Sequence, residues 1–243
     1  MQEPPALPPP APAVPLSLVL GGTGGIGGAL VTALEQRGHR VLAVGRGTDP
    51  AIDYHDPASV ERLAMFVSQR LQDRGERLET LIVATGVLHQ GGVQPERSWQ
   101  HLDVAALQQL FLVNTIGPAL VMRHLLPLLP RQGRCVAAFL SARVGSIGDN
   151  RLGGWYGYRA SKAALNQLVR TAAIELARRN KQALCVALHP GTVDTPLSKP
   201  FSKTGLDVRP PAVAAADLLG VLDNLPDGAS GRFFDHQGVE VPW

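Results

Sequence analysis

Strand-like and helix-like segments alternate along most of this chain, and that alternation restricts the possible folds more than any other feature. Apolar runs predict strands at 16–20, 39–44, 51–53, 78–84, 134–141, 183–189 and 231–234. Apolar residues at helical spacing predict helices at 25–37, 57–74, 104–129 (disturbed by Pro118 and Pro127), 156–179 and 211–224. Repeated β–α units imply parallel strands joined by right-handed crossovers. We therefore predict an α/β fold, a single doubly wound parallel sheet flanked by helices on both faces.

The chain is long enough for one such domain, and no shift in composition marks a second one. Its 243 residues suit a single α/β domain, which we place at residues 16–243. Residues 1–15 are proline-rich and lack the basic start and apolar core of a secretory signal, so we predict a disordered tail. Cys135 and Cys185 lie in apolar runs and are expected to be reduced core residues. Together these features predict a cytoplasmic protein.

Charge and motif content argue against several kinds of partner. The net charge of +3 is too small to indicate nucleic acid, and the sequence has no basic stripe with interleaved aromatic residues. No apolar run approaches the ~18 residues that cross a membrane. No C-x-x-C, H-E-x-x-H or clustered His/Asp pattern suggests a metal site. We therefore expect a small-molecule ligand, with no nucleic acid, membrane or metal partner.

A glycine-rich run joins the first predicted strand to the first predicted helix. Glycines let the backbone turn sharply and approach a diphosphate, and a helix amino terminus offers free N–H groups and a positive dipole end. A plain tight turn is the alternative, but the position between an apolar strand and an amphipathic helix favours dinucleotide binding. The run predicts a cofactor-binding loop that includes Gly21, Thr23, Gly24, Gly25, Ile26 and Gly27.

The end of the second predicted strand distinguishes the two nicotinamide cofactors. A carboxylate at this point binds the ribose 2′-hydroxyl of NAD, whereas an arginine suits the 2′-phosphate of NADP. The chain has Arg46 and no carboxylate there, which favours NADP(H) over NAD(H). An exposed arginine without a ligand is the alternative. Asp53 follows the short third strand, where it either accepts a hydrogen bond from the adenine amino group or is a plain loop residue.

A tyrosine and a lysine four residues apart, Tyr158 and Lys162, lie in the predicted helix at 156–179. Residues i and i+4 share one helix face, so the phenol and the ammonium can converge. A lysine cation favours the phenolate and lowers the tyrosine pKa from its ordinary value of about 10. Tyr158 would then act as a general acid or base. A half-exposed pair on an ordinary helix is the alternative interpretation.

With the glycine loop early and the tyrosine–lysine pair late, residues 16–243 resemble the short-chain dehydrogenase/reductase family. The family's G-x-x-x-G-x-G pattern falls on 21–27, and its Y-x-x-x-K pair falls on Tyr158 and Lys162. Its mid-helix asparagine matches Asn114, and its P-G turn matches 190–191. Within the family, the chain looks like the C-factor-like and sniffer-like carbonyl reductase branch, on the runs at 84–89, 141–146 and 153–156.

The resemblance implies a Rossmann-type oxidoreductase that transfers hydride between NADP(H) and a small carbonyl or alcohol substrate. It implies that Tyr158 exchanges a proton with the substrate oxygen, that Lys162 lowers the tyrosine pKa, and that Asn114 anchors a water near the lysine. Related dimers and tetramers, together with apolar helix faces, lead us to expect a homodimer or homotetramer. Further cofactor contacts are implied at Ala84, Thr85, Gly86, Pro190, Gly191, Val193 and Thr195, besides Asn114, Tyr158 and Lys162.

One departure from the family pattern concerns the serine that binds the developing oxyanion. The serine position holds Ala142, with Ser141 one residue earlier and Ser146 as a second candidate. Adjacent side chains on an extended strand point to opposite faces, so Ser141 reaches the carbonyl only where the strand end bends. We expect Ser141 to take this role, in a pocket that the loop at 197–208 helps to enclose. The departure also leaves open a C-factor-like signalling or cofactor-sensing protein with weak catalysis.

Overall fold

The structure is a computed structural model that describes residues 13–89, 94–199 and 207–243. Most of the predicted proline-rich tail lies outside the described residues, as do residues 200–206 of the loop expected at the substrate pocket. The first strand begins at Val14, two residues before the predicted start of the domain. It begins there because Val14 and Pro15 already pair in parallel with Glu76 and Arg77.

Eight strands lie in the described residues, and six of them form one parallel sheet. The bounds of the strands are β1 Val14–Leu20, β2 Arg40–Val44, β3 Glu76–Val83, β4 Cys135–Leu140, β5 Ala183–His189, β6 Thr192–Val193, β7 Val208–Arg209 and β8 Phe233–Asp235. The sheet has the order β2–β1–β3–β4–β5–β8, while β6 and β7 pair separately. Strand order reverses at β1, and in doubly wound sheets ligands bind beyond the carboxyl ends of the strands at that point.

Helices cover both faces of this sheet, as predicted. The bounds are α1 Gly25–Gln36, α2 Ala58–Arg74, α3 Val104–Phe111, α4 Gly117–Leu125, α5 Tyr156–Arg179 and α6 Pro211–Asp223. Leu30 of α1 and Leu218 of α6 belong to the apolar cluster on one face. Val60 of α2, Val121 of α4 and Leu165 of α5 belong to the cluster on the other face. The predicted doubly wound α/β fold is therefore confirmed.

The predicted strand at 51–53 is wrong, because this segment is a loop that folds back on the end of β2. The Ile52 N–H donates to the Gly45 carbonyl oxygen at 3.0 Å. The Asp53 N–H donates to Ser59 Oγ at 3.0 Å, and Ser59 Oγ donates to the Asp53 carbonyl oxygen at 2.8 Å. These local bonds satisfy the backbone without a neighbouring strand, so β2 forms the edge of the sheet.

The predicted helix at 104–129 is divided rather than continuous. A π-helical turn, Leu112–Ile116, separates α3 from α4, and a 3-10 turn at Leu126–Leu128 ends the run. The first break follows from Pro118: it has no N–H, so the carbonyl of Asn114 four residues earlier cannot receive the usual helical hydrogen bond. The second break follows from Pro127 within the last turn. Both prolines disturb the helix as predicted, and the first places Asn114 in an irregular turn.

The expectation that no apolar run could span a membrane needs correction. The helical stretch Val104–Leu128 has 25 residues and is apolar enough to span one by length and composition alone. Buried core helices of soluble proteins meet the same criterion, so the finding is weak evidence for a membrane protein. Its polar residue Thr115 is buried and donates to the Ser161 carbonyl oxygen of α5 at 2.8 Å. This face of the stretch packs against protein.

Candidate active site

Two cavities at the carboxyl edge of the sheet are bordered by the loop between β1 and α1 and by the first turn of α1. The first, here called the glycine-loop cavity, has about 440 Å³ and is lined by Gly21, Thr23, Gly24, Arg46, Asp53, Ala84, Thr85 and Gly86 among others. The second, the tyrosine cavity, has about 300 Å³ and is lined by Ile26, Ser141, Ala142, Tyr158, His189, Pro190, Gly191, Val193 and Thr195 among others. Most of the predicted site residues therefore border one of these two spaces.

At three positions of the glycine loop the surrounding atoms leave no room for a side chain. Gly21 has a φ of +78°, and a Cβ placed on it would lie 3.0 Å from the Ala84 carbonyl carbon. A Cβ on Gly27 would overlap the Gly21 carbonyl oxygen, and one on Gly25 would lie 2.7 Å from Thr195 Cγ2. The backbone can thus approach a ligand closely, and the amino terminus of α1 is directed at it. This arrangement fits the diphosphate of a nicotinamide dinucleotide.

The glycine-loop cavity also contains Arg46 and Asp53, the residues predicted to bind the adenosine part of the cofactor. In the described parts of the chain Arg46 makes no ion pair with a carboxylate, so its guanidinium is available to an anion. Asp53 accepts hydrogen bonds from the His55 N–H at 3.0 Å and from His55 Nδ1 at 3.1 Å, which lower the pKa of the carboxyl group. Asp53 is therefore ionised at neutral pH and able to accept a further bond.

Tyr158 and Lys162 lie close together in the first turns of α5. Tyr158 is 8% exposed and Lys162 3% exposed, and the Lys162 Nζ atom lies 5.9 Å from the centroid of the phenol ring. Lys162 Nζ donates to the Leu140 carbonyl oxygen at 2.8 Å. The Tyr158 hydroxyl forms no hydrogen bond with a described residue, and burial is the sole cause of its pKa shift. The hydroxyl is thus free to bind a substrate oxygen.

The direction of the Tyr158 pKa shift is opposite to the sequence-based expectation. Burial raises the pKa of Tyr158 above its ordinary value, and burial lowers the pKa of Lys162 to about 8. The expected acidification fails because Nζ points to the Leu140 carbonyl, and because desolvation acts on both groups. At neutral pH the phenol therefore keeps its proton, which is the form that a proton donor requires.

Asn114 joins the loop after β3 to α5. Its Nδ2 atom donates to the Val87 carbonyl oxygen at 2.8 Å and to Ser161 Oγ at 3.1 Å, while the Val87 N–H donates to Oδ1 at 2.9 Å. A Cβ on Gly86 would lie 3.4 Å from Asn114 Oδ1 and 3.5 Å from Lys162 Nζ. The structure thus brings Asn114, Gly86 and Lys162 together, and both donors of the Asn114 amide hold neighbouring segments in place.

Both candidate serines have protein partners. Ser141 borders the tyrosine cavity, but its hydroxyl donates to Asn166 Oδ1 of α5 at 2.6 Å. Ser146 donates to the Pro242 carbonyl oxygen and accepts from the Asp149 N–H at 3.1 Å. Ala142 instead packs in a small apolar cluster with Tyr158. In this conformation neither serine proton is available to a substrate oxygen, and the family serine position carries only a methyl group.

The turn after β5 forms the floor of the tyrosine cavity. Gly191 has a φ of +76°, a conformation that favours glycine. The Arg209 side chain holds this turn by donating to the Pro190 carbonyl oxygen at 2.7 Å. Val193 and Thr195 follow on the same side of the cavity. The predicted nicotinamide contacts are therefore contiguous in space, next to the glycine loop.

Sequence reasoning missed two residues that position this site. Tyr54 is buried in the wall of the glycine-loop cavity, and its hydroxyl lies 2.8 Å from Thr85 Oγ1. Glu96 is buried, and its two carboxylate oxygens accept the Gly157 N–H at 3.3 and 3.2 Å, one residue before Tyr158. Trp155, the residue before α5, has a left-handed φ of 54° and provides no side-chain cap. Glu96 takes the capping role from 61 residues away, so no local sequence signal could reveal it.

Comparisons with known proteins agree with this arrangement. A family model described as short chain dehydrogenase matches residues 16–205. The chain is 32% identical over 237 residues to the 1-hydroxy-2-glutathionyl-2-methyl-3-butene dehydrogenase of Rhodococcus sp. (strain AD45), covering 93% of this chain and 98% of that protein. It is 40% identical over 142 residues to the C-signal of Myxococcus xanthus, covering 58% and 81% respectively. The NADPH-bound carbonyl reductase from chicken fatty liver has a TM-score of 0.79 at 26% identity, covering 95% and 100%.

Proposed function

The chain belongs to the short-chain dehydrogenase family, and from that premise we propose that it is an NADP(H)-dependent carbonyl reductase. The observation that carries this proposal is the unengaged hydroxyl of Tyr158 beside Lys162, in a cavity that adjoins the glycine loop. Membership in the family makes the protein an oxidoreductase with a nicotinamide cofactor. The individual residue roles below belong to the proposal.

The residues of the two cavities suit the two halves of the cofactor. The glycine loop with Thr23 would hold the diphosphate, Arg46 the 2′-phosphate and Asp53 the adenine amino group. Ala84, Thr85 and Gly86 line the same cavity and would also contact the cofactor, with Asn114 and Lys162 close to Gly86. The tyrosine cavity, lined by Tyr158, Pro190, Gly191, Val193 and Thr195 among others, would hold the nicotinamide and its ribose. When bound, the cofactor supplies the hydride.

Tyr158 supplies the proton in this proposal. Its raised pKa keeps the phenol protonated at neutral pH, so it can donate to the oxygen of a carbonyl substrate as the carbon accepts hydride. Lys162, an ammonium below its pKa of about 8, lies beside the phenol ring, and its charge would offset part of the cost of burying the phenolate that forms. Asn114 fixes the loop after β3 against α5, which keeps these groups in register.

The preference for NADP(H) rests on Arg46. Its guanidinium lines the glycine-loop cavity, and a guanidinium binds a phosphate through charge-assisted hydrogen bonds. The chicken carbonyl reductase that shares this fold was solved with NADPH bound. A small carbonyl or alcohol as the substrate, a homodimer or homotetramer, and a cytoplasmic location stay predictions from the sequence.

A signalling or cofactor-sensing role is the second candidate. Two observations favour it: the similarity to a protein named C-signal, and an alanine where the family has its serine. Such a protein would bind NADP(H) but turn over carbonyl compounds no faster than background. The two candidates therefore differ in turnover, whereas both predict cofactor binding.

The test is a panel of aldehydes and ketones assayed by NADPH oxidation, with wild type and Tyr158→Phe compared on each active compound. Loss of the phenol proton is expected to lower kcat about 10³-fold, while the dissociation constant for NADPH changes less than about threefold. Tyr156→Phe, two residues earlier on the same helix, is the matched control and should keep its activity. Wild-type turnover at background level, or a fully active Tyr158→Phe, would refute the carbonyl reductase.

A further inference from the structure

His189, the last residue of β5, lies next to the position from which the family serine is missing. Leu140 of β4 pairs with Leu188 of β5, so Ser141 and His189 follow side by side across the ladder. Ala187 belongs to the apolar cluster that faces α5, and period two places the His189 side chain on that same face. His189 and Tyr158 both line the tyrosine cavity. His189 is thus a polar wall of the space where a substrate carbonyl would lie.

The residues near His189 provide few free hydrogen-bond donors for the oxygen of a substrate. Ala142 has no polar side chain, and the Ser141 proton is donated to Asn166. Arg143, the next residue along, is paired with Asp149 at 2.6 Å. Tyr158 can donate one hydrogen bond, yet a carbonyl oxygen that gains charge is stabilised best by more than one donor. A second donor from this wall would complete the site.

The tautomer of His189 follows from the surroundings of its two ring nitrogens. Nδ1 is buried and has no hydrogen-bond partner, whereas Nε2 is not among the buried, unpartnered atoms of the described residues. A buried N–H without an acceptor costs more than a buried bare nitrogen, because orphaned donors are rarer in native proteins than under-used acceptors. The ring proton therefore belongs on Nε2. This gives His189 one donor, on the nitrogen that is not sealed in the protein.

The charge state of His189 defines what this donor can do. Burial lowers the pKa of His189 to about 4, and the nearby His236, Arg143 and Arg209 add to this effect against the opposing charge of Asp235. The imidazole is therefore neutral at pH 7. A neutral imidazole polarises a carbonyl through its N–H but does not give up that proton, so proton transfer stays with Tyr158.

We propose that His189 donates a hydrogen bond from Nε2 to the substrate carbonyl oxygen, in the role that a serine hydroxyl fills elsewhere in the family. The proposal rests on the carbonyl reductase function proposed above. It makes His189 a second oxyanion donor besides Tyr158, and it accounts for a site that combines Ala142 with a committed Ser141.

The experiment measures kcat and KM for an active carbonyl compound from the NADPH panel. His189→Ala should lower kcat/KM about 10²-fold, mainly through kcat, because the lost donor acts on charge that develops in the transition state. His189→Gln retains an amide donor and should stay within about tenfold of wild type. The matched control is His236→Ala, since His236 also has a buried, unpartnered Nδ1 and contacts His189 but lines a different cavity. It should remain within about threefold.

A rescue distinguishes a donor from a merely structural residue. Ala142→Ser restores a hydroxyl at the family position, so Ala142→Ser/His189→Ala should recover at least about tenfold of the lost kcat/KM. Thermal unfolding of each variant establishes that it is folded, and His189→Gln serves if His189→Ala is not. A fully active His189→Ala, or a weak His189→Ala without rescue, would overturn this inference and leave the carbonyl reductase standing. An inactive wild type would overturn both.

Discussion

The glycine-loop cavity and the tyrosine cavity lie at the same edge of the sheet, but one is formed mainly by backbone and the other mainly by side chains. The first is shaped by backbone, where Gly21 and Gly27 approach neighbouring carbonyl groups too closely for any side chain. The second is shaped largely by side chains, among them the buried Tyr158 and the partly buried His189. We therefore expect cofactor binding at the glycine-loop cavity to be lost when a side chain is enlarged. We expect turnover at the tyrosine cavity to be lost when a functional group is removed.

Each cavity is lined by one buried tyrosine, Tyr54 in the first and Tyr158 in the second, and the two differ in their hydrogen bonding. Burial raises the pKa of both, that of Tyr54 to about 12. The Tyr54 hydroxyl is paired with Thr85, whereas the Tyr158 hydroxyl has no described partner and has Lys162 beside its ring. Burial alone therefore does not identify a catalytic tyrosine. The catalytic role proposed for Tyr158 rests instead on its uncommitted hydroxyl next to a buried ammonium.

The largest effect is expected from removing the ammonium at the tyrosine cavity. Lys162→Met should lower kcat for carbonyl reduction about 10³-fold, because the phenolate that forms loses its stabilising charge. The Leu140 carbonyl oxygen also loses its donor. Steady-state kinetics with NADPH measures the change, and Lys181→Met, at an exposed lysine, is the control. A near-normal kcat in Lys162→Met would show that the tyrosine cavity does not depend on this side chain, against the comparison drawn above.

The next effect tests the claim that the glycine loop fails when atoms are added. Gly27→Ala should weaken NADPH binding by about 10- to 100-fold and destabilise the fold by about 1–3 kcal/mol, because the new Cβ overlaps the Gly21 carbonyl oxygen. Gly28→Ala is the matched control one residue later, where a Cβ would meet only an ordinary contact 3.5 Å from the Gly22 carbonyl oxygen. Fluorescence titration with NADPH and urea unfolding measure both. Equal behaviour of the two variants would contradict the steric argument.

Arg46 is an exception to this comparison, because its side chain is expected to bind the cofactor at the cavity that backbone mainly forms. Arg46→Ala should raise the dissociation constant for NADPH about 10- to 100-fold, because charge-assisted bonds to the 2′-phosphate are lost. The dissociation constant for NADH should change less than about twofold. Equal affinities of wild type for NADPH and NADH would defeat the cofactor assignment.

The smallest effect concerns His189 and the pH dependence of the free energy of unfolding. The folded-state pKa of His189 is about 4, below its ordinary value of 6.5. Between these values the unfolded chain binds a proton that the folded protein does not, so stability is lost as pH falls through that window. His189→Gln removes this contribution and should lose less stability than wild type between pH 7 and pH 5, by up to about 2 kcal/mol. Urea unfolding at both pH values tests this, and identical losses would show that His189 is solvated.

Sequence patterns predicted the backbone-built cavity far better than the side-chain-built one. Glycine spacing, the strand before it and Arg46 are local signals that the fold preserves. At the tyrosine cavity, the spacing of Tyr158 and Lys162 was informative, but their pKa shifts depend on burial, which spacing does not report. The bond from Ser141 to Asn166 likewise joins residues 25 positions apart.

The same limit explains the wrong secondary structure. The run at 51–53 is apolar enough for a strand, yet the hydrogen bond from Ile52 to Gly45 ends the sheet at β2. The helix at 104–129 was predicted with its prolines, but the π-helical turn around Asn114 is an adjustment to Pro118 and to contacts with Val87 and Ser161. Local sequence patterns cannot predict secondary structure that depends on hydrogen bonds to residues far away in the sequence.

The contact between Glu96 and Gly157 has a practical consequence for protein engineering. The carboxylate anchors the start of α5 from a segment that lies 61 positions upstream. Transplanting α5 into a related scaffold would therefore transfer Tyr158 and Lys162 without the anchor that aims them. A chimera that keeps its activity must inherit both segments from the same parent.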